Sequence, residues 1–329
     1  MRERVEGVFA SLEQLIGTLP VPPEHRKLIW AHLEAGRSQA MASPGLPAVQ
    51  LPLLVHAAVT GEERPAHHLA EACTLLYFGV DLFDNLIDDE LSPSWDTRDP
   101  AEASLAAATL LAAAPQLALA RLREHGVPPE RLWELARLFA ETLLTMSAGE
   151  HEDVLFTGRT DLRPEMCRDM IERKSGSELA LFAKAGAVLA TEDEGVIDKF
   201  AAFGRCLGMA SQLRSDVWDL CGAEASQDLK NGKRTLPIVH ALCMLQGEDQ
   251  GRLQELLGTA RESAELHDEV RMLLAEAESI RHTVLVIEVY LRRARYHLAA
   301  TSPLEPAGQT LRTLLDRVSL LATREDAHR

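Results

Sequence analysis

Apolar residues recur at three- and four-residue spacing along nearly the whole chain, and runs of β-branched residues are almost absent. That period places apolar side chains on one face of a helix, whereas a half-buried strand needs strict alternation. Candidate helices cover residues 2–18, 24–36, 48–60, 65–90, 101–124, 129–151, 164–190, 194–220, 234–246, 250–258, 262–276, 278–300 and 306–322. Breakers fall where these should stop: Pro20-Val21-Pro22-Pro23, Ser43-Pro44-Gly45, Ser92-Pro93-Ser94, Gly126 to Pro129, Gly222 and Ser302-Pro303. No Gly/Ser linker, internal repeat or strand-rich half divides residues 1–329. The expectation is one all-α domain, a single large bundle of about a dozen helices.

Charge narrows the function classes. The chain has 34 Lys and Arg against 50 Asp and Glu, a formal charge of −16. A partner of nucleic acid needs a basic footprint, and a polybasic membrane anchor needs the same. The five cysteines, Cys73, Cys167, Cys206, Cys221 and Cys243, show no CxxC pairing, so they read as buried reduced thiols. The N-terminal MRERVEGVFASLEQLIGTLP carries charges where a secretory signal would need an apolar run. Leu105 to Ala120 is the most apolar stretch, but Pro115 and Gln116 break it, so it reads as a buried helix rather than a membrane span. These features point to a cytoplasmic protein.

The acid is not evenly spread. In Asp81-Leu82-Phe83-Asp84-Asn85-Leu86-Ile87-Asp88 the carboxylates of Asp84 and Asp88 are four apart, on one helix face, with Asp81 one turn earlier. The flanks are apolar and no Lys or Arg follows until Arg98. Carboxylates gathered without basic partners call for a cation, and all-oxygen ligands suit Mg²⁺. A second group, Asp216 and Asp219, is three apart at the end of Phe203-Gly204-Arg205-Cys206-Leu207-Gly208-Met209-Ala210-Ser211-Gln212-Leu213-Arg214-Ser215-Asp216. Gly204 and Gly208 there permit close helix packing. Asp228-Leu229-Lys230-Asn231-Gly232-Lys233-Arg234-Thr235-Leu236-Pro237 follows as a basic polar loop. Two acidic faces and a Lys-bearing loop can surround a metal-bound diphosphate.

In this order the segments resemble the trans-isoprenyl diphosphate synthase, or polyprenyl synthetase, family. Residues 84–88, DNLID, resemble its DDxxD motif with Asn85 for the second Asp. Residues 203–219 resemble FGxxxGxxFQxxDDxxD with Ser215 for the first Asp, and residues 228–237 resemble DLxxGKxTLP. Lys174-Ser175 followed by Leu181-Phe182 is similar to the KT helix, and Gly149-Glu150-His151-Glu152-Asp153 to GQxxD with Glu150 for Gln.

The resemblance implies the isoprenoid synthase fold, helices around a central cavity with the two Asp motifs facing each other at its mouth, and a homodimer. It implies Mg²⁺ on Asp84, Asp88 and Asp216 with Asp219 in support, the diphosphate on Lys174 and Lys233, and Gln212 near the reacting carbocation. Arg98 is the one basic residue of the segment after the first motif, and Tyr77, Val80 and Phe83 would line the prenyl chain. Gly79 and Val80, small residues just before Asp84, suggest a substrate of fifteen carbons or more.

Elongating members of that family hold a second diphosphate through GKxxRP and an Arg pair after DDxxD. Here Arg37 stands in AGRSQAMASP with no Arg-Pro after it, and Arg98 stands alone. The leading expectation is therefore a terpene synthase that ionises one allylic diphosphate. The alternatives are a prenyltransferase joining the allylic group to isopentenyl diphosphate or another acceptor and, behind it, a regulatory subunit.

Overall fold

The computed structural model describes residues 2–42, 45–91, 99–222, 225–259 and 264–321. Among them the regular structure is helical, with no strand, as the periodicity demands. They fall into two compact units. The first comprises Met1–Glu141, Leu181–Ala201 and Leu298–Arg312, and the second Thr142–Ala180, Ala202–His297 and Thr313–Arg329.

The first unit opens with α1 (Arg2–Thr18), α2 (Pro23–Ala42) and α3 (Pro47–Thr60), followed by α4 (His67–Ile87). Then come α5 (Pro100–Ala108), a π-helical turn (Thr109–Ala113) and α6 (Ala114–Arg121). Helix α4 is its centre and packs on α3, α5 and α6. Every residue from His68 to Leu76 is buried, so this stretch of the helix is enclosed on all sides, while its C-terminal end from Asp81 reaches the surface. The enclosure traps Glu71, whose carboxylate accepts from Arg121 Nη1 at 2.9 Å and pairs with His68 Nδ1 at 2.8 Å. A buried carboxylate needs such partners to remain tolerable.

Two expectations change in this unit. Gly79 is small for packing reasons: a Cβ there would stand 2.9 Å from Leu110 Cβ and 3.0 Å from the Leu110 carbonyl carbon. Its size records the close approach of the π-helical turn and says nothing about substrate length. The apolar stretch around Leu105 is also less enclosed than its composition suggests. Pro100–His125 is long and apolar enough to cross a membrane, by length and composition, and 44% of its most apolar window is buried within the protein.

The second unit takes α7 (Pro129–Phe156) from Thr142 onward, α8 (Pro164–Ile171), a π-helical turn (Glu172–Gly176) and the start of α9 (Ser177–Ala190). It continues through α10 (Glu194–Cys221) from Ala202, α11 (Gln227–Asn231), α12 (Leu236–Met244), α13 (Gly247–Thr259), α14 (His267–Glu276) and α15 (Ser279–Ala299). The last helix, α16 (Ala307–Val318), begins in the first unit and ends in the second. Leu253, Leu256 and Leu257 of α13 pack with Val270, Leu273 and Leu274 of α14, beneath Ile238 and Leu242 of α12. Among the described cysteines none is bonded to another; Cys73, Cys167 and Cys206 are buried, but Cys221 and Cys243 reach the surface, against expectation.

Candidate active site

The second unit gathers a dense set of acids and lysines. On α7, Glu150 and Asp153 are three apart and share a face. Gly149 beside them lets the π-helical turn come close, since a Cβ there would stand 2.8 Å from the Lys174 nitrogen and from Arg173 Cβ. On the other side, a Cβ at Gly208 of α10 would lie 2.2 Å from the Ser175 carbonyl oxygen. The turn that carries Lys174 is thus wedged between two helices that can approach only because each has a glycine at the contact.

Lys174 Nζ lies 2.6 Å from Glu150 Oε2 and donates to Asp153 Oδ2 at 3.1 Å. Lys233 Nζ donates to the same Asp153 oxygen at 2.8 Å. Ser175 Oγ donates to Gln212 Oε1 at 2.8 Å, and Gln212 Nε2 donates to Asp216 Oδ1 at 2.9 Å. This relay fixes the amide and points it at Asp216, which is 5% exposed.

Asp219 serves the loop that follows. It accepts from Ser226 Oγ, from Gln227 N at 2.9 Å and from Asp228 N at 3.2 Å. Ser226 in turn accepts from Leu229 N at 3.1 Å and caps α11. Gly232 ends that helix at φ 69°, in the left-handed region a glycine adopts without strain. Arg234, 3% exposed, then ties the loop down, with Nε donating to the Arg159 carbonyl at 2.6 Å and Nη1 to the Gly232 carbonyl at 3.0 Å. These contacts present Lys233 to Asp153. Ser226→Ala is expected to cost about 1 kcal/mol of stability through the lost cap. Calorimetric unfolding measures it, and an unchanged midpoint would show that Asp219 holds the turn alone.

The acids outnumber the bases. Burial pushes the Asp216 carboxyl up to about 7; Asp153 and Asp219 add to the rise, while the Gln212 hydrogen bond and Lys174 oppose it. Asp228 is pushed well above the usual carboxylate range, again by burial first and then by Asp216 and Asp219. Among the described residues no three acids, His or Cys converge closely enough to hold a metal ion unaided. Mg²⁺ does not require that, because it takes one or two carboxylates and completes its shell with water and phosphate oxygens. An oxygen-only donor set, buried and short of positive charge, fits such an ion.

The remaining expected residues belong to α4, to its C-terminal end and to the segment that follows. Asp84 and Asp88 are half-buried at the end of α4 in the first unit, where the Asp88 nitrogen donates to the Asp84 carbonyl at 3.0 Å. Asn85 Nδ2 donates to Asp81 Oδ2 at 3.3 Å. Tyr77 and Val80 are half-buried and Phe83 is 46% exposed. Arg98 lies outside the described residues. Two residues deserve a place that sequence reasoning did not give them. Asp153 was visible as the last letter of the GQxxD-like segment, and Arg234 as a variable letter of the loop.

Residues 51–274 match the family model for polyprenyl synthetase. The chain belongs to the polyprenyl synthetase family. Membership makes it an isoprenoid enzyme. Among curated relatives, a short chain isoprenyl diphosphate synthase of Methanothermobacter thermautotrophicus is 27% identical over 221 residues, 64% of this chain and 67% of that protein. A geranylgeranyl diphosphate synthase of Sulfolobus acidocaldarius is 24% identical over 62% of this chain and 65% of its own. The fold of this family member is shared with a polyprenyl synthetase from Streptomyces coelicolor A3(2), at TM-score 0.80 and 23% identity, covering 97% of this chain and 98% of that one. It is shared equally with a Caulobacter crescentus polyprenyl synthase complexed with calcium and isoprenyl diphosphate, at TM-score 0.79 and 20% identity over 98% of each chain. None of these four relatives is named as a terpene synthase.

Proposed function

We propose that the protein is a Mg²⁺-dependent prenyltransferase of the isoprenyl diphosphate synthase type, acting in the cytoplasm as a homodimer with the whole chain as one catalytic domain. It would ionise an allylic prenyl diphosphate, release pyrophosphate and join the prenyl group to isopentenyl diphosphate or another acceptor. The observation that carries this reading is the convergence of Lys174 and Lys233 on one oxygen of Asp153, at 3.1 and 2.8 Å. Two ammonium groups that share one carboxylate oxygen can donate together to a diphosphate.

Asp84 and Asp88 of the first unit and Asp216 of the second are each proposed as Mg²⁺ ligands, with Asp219 supporting Asp216 through the loop it anchors. The metal, when bound, supplies electrostatic stabilisation of the leaving pyrophosphate. Lys174 and Lys233 bind and orient that group. Gln212, steered by Ser175, presents its amide beside Asp216. Tyr77, Val80, Phe83 and Arg98 remain proposed substrate contacts.

A second reading, ionisation without a diphosphate acceptor, is favoured by Arg37. Its guanidinium turns to Glu34 at 3.1 Å and sits over the Phe9 ring, 5.9 Å from the centroid. No Arg-Pro follows it, so the set of donors that holds a second diphosphate in elongating members is incomplete around Arg37. Incubation with Mg²⁺ and geranyl, farnesyl or geranylgeranyl diphosphate, with and without isopentenyl diphosphate, separates the two. A longer diphosphate formed only with isopentenyl diphosphate supports the prenyltransferase. Hydrocarbon or alcohol products formed equally without it would overturn that reading in favour of the second.

A further inference from the structure

Helix α15 opposes the charge of the rest of the chain. Against an overall formal charge of −16, residues 279–299 hold four arginines, Arg281, Arg292, Arg293 and Arg295, and one acid, Glu288. One side of the helix faces the interior, where Thr283, Ile287, Leu291 and Ala294 are fully buried. The opposite side is open, and its centre is apolar. Leu285, Val289 and Tyr296 are 54%, 49% and 72% exposed. At about 100° per residue they stand within about 40° of arc, in a line about 17 Å long. Arg281 and Arg292 border that line on one side with Arg295 beyond them, Arg293 borders it on the other, and all four are exposed.

Glu288 does not neutralise this face. Its Oε1 is turned to the edge, where it accepts from Ser319 Oγ at 2.7 Å and from Leu320 N at 3.2 Å. Among the described residues Arg281 pairs with Glu278 at 3.5 Å and Arg295 with Asp316 at 2.9 Å, while Arg292 and Arg293 meet no carboxylate. Single exposed apolar side chains are ordinary, but a line of them bordered by arginines is an amphipathic face with nothing on it.

We infer that this face of α15 docks on the surface of a bilayer that carries anionic phospholipids. A helix lying parallel to a bilayer sinks its central apolar side chains below the headgroups, and the side chains at its borders meet the phosphates. Guanidinium groups suit phosphate because they donate to two of its oxygens at once, and their apolar stems lie along the line they border. Tyr296 is amphipathic and fits the headgroup level. Charge complementarity therefore names an anionic occupant. A second copy using the same face would set Arg292 and Arg293 near their own equivalents, which repel. The acidity of the remaining chain does not forbid the approach, because charges more than about 10 Å from the contact are screened by salt. The inference does not depend on which acceptor the enzyme uses.

The test is cosedimentation of the full-length protein with vesicles of phosphatidylcholine alone and of phosphatidylcholine mixed with phosphatidylglycerol, at low and high salt. Binding is expected to the mixed vesicles only, and it should weaken as salt rises. An arginine at such a surface contributes about fivefold, so Arg292→Gln with Arg293→Gln should weaken binding about 25-fold. Lys at both positions should keep most of the affinity. Leu285→Ser with Val289→Ser should cost about tenfold or more through the lost apolar burial. Arg137→Gln, on exposed α7, should change nothing. Absence of parental binding to the mixed vesicles would overturn the inference, as would equal binding to both kinds of vesicle. Parental affinity in the Arg292 and Arg293 double variant would also overturn it, since another surface would then hold the lipid. Should the double variant fold poorly by circular dichroism, Arg292→Gln alone is read for a fivefold loss. Sedimentation velocity without lipid covers the remaining occupant. A parental assembly that the double variant dissociates, together with no vesicle binding, would give the face to a second copy and overturn the lipid assignment.

Discussion

Asp216→Ala is expected to lower pyrophosphate release from an allylic diphosphate by about a thousandfold, roughly 4 kcal/mol of transition-state stabilisation. The loss would come from a carboxylate assigned to the metal, so it should appear in the turnover rate at saturating Mg²⁺ rather than only in the apparent metal affinity. Asp84→Ala, at the other motif, should show a loss of the same order. Both variants should keep the parent's helical circular dichroism, because neither side chain fills the apolar core. Wild-type-like turnover in either would remove that residue from the metal set.

The same variant carries a pH signature. A free Asp titrates near 3.9, whereas burial and the neighbouring acids raise Asp216 to about 7. Between those values the folded chain holds a proton that the unfolded chain has lost, so stability falls as pH rises through that window. Below it both states are protonated and the penalty is absent; above it the penalty is fully present. Metal-free Asp216→Ala should therefore lose stability less steeply than the parent between about pH 4 and pH 7. Melting temperatures across that range, in chelator, measure the slope. Identical slopes would place the destabilising charge elsewhere.

Gly208→Ala should be the most damaging single methyl in the second unit. Its Cβ would fall 2.2 Å from the Ser175 carbonyl oxygen and 2.9 Å from the Ser175 carbonyl carbon. Both are backbone atoms, so no side chain can swing aside. The helix and the π-helical turn must separate, at a cost of about 1–3 kcal/mol. The displacement also moves Lys174 and Ser175, hence the proposed diphosphate site and the Gln212 relay together. Turnover should fall about a hundredfold, as expected for a misplacement of the order of 1 Å. Denaturant unfolding and steady-state kinetics test the two halves separately. A stable variant with parental turnover would mean that the turn tolerates displacement without consequence for the site.

Much of this architecture is legible in the chain itself, for a physical reason: helix periodicity and breakers are local. The boundaries of α1 and α3, and the long extent of α10, follow from apolar spacing and from Pro or Gly at the ends. What periodicity cannot show is an interruption that leaves the pattern intact. The π-helical turn at 172–176 lies inside a stretch that reads as one continuous helix over 164–190, and only its packing against two glycines reveals it. The short α11 is hidden for a different reason. It is held by Ser226 and Asp219, a contact across seven residues that no helical period encodes.

The site divides in the same way. Residue types at motif spacing singled out Lys174, Gln212, Asp216 and Lys233, and these meet in one cluster of the second unit. Asp153 was missed as a participant, since its role depends on lysines 21 and 80 residues away in sequence. Gly79 misled, because smallness in a sequence does not say whether the space beside it is empty or taken by Leu110.

A π-helical turn holds one residue more than the α-helical turn it replaces. Deleting one residue of Glu172–Gly176 would let the turn close as an ordinary α-helical one while the helices on either side kept their register. Leu179 and Ala180 would stay buried, but Lys174 or Ser175 would be drawn off the glycine contacts. The extra residue therefore sets where the lysine stands without setting how the core packs, and a deletion here would cost the one while sparing the other.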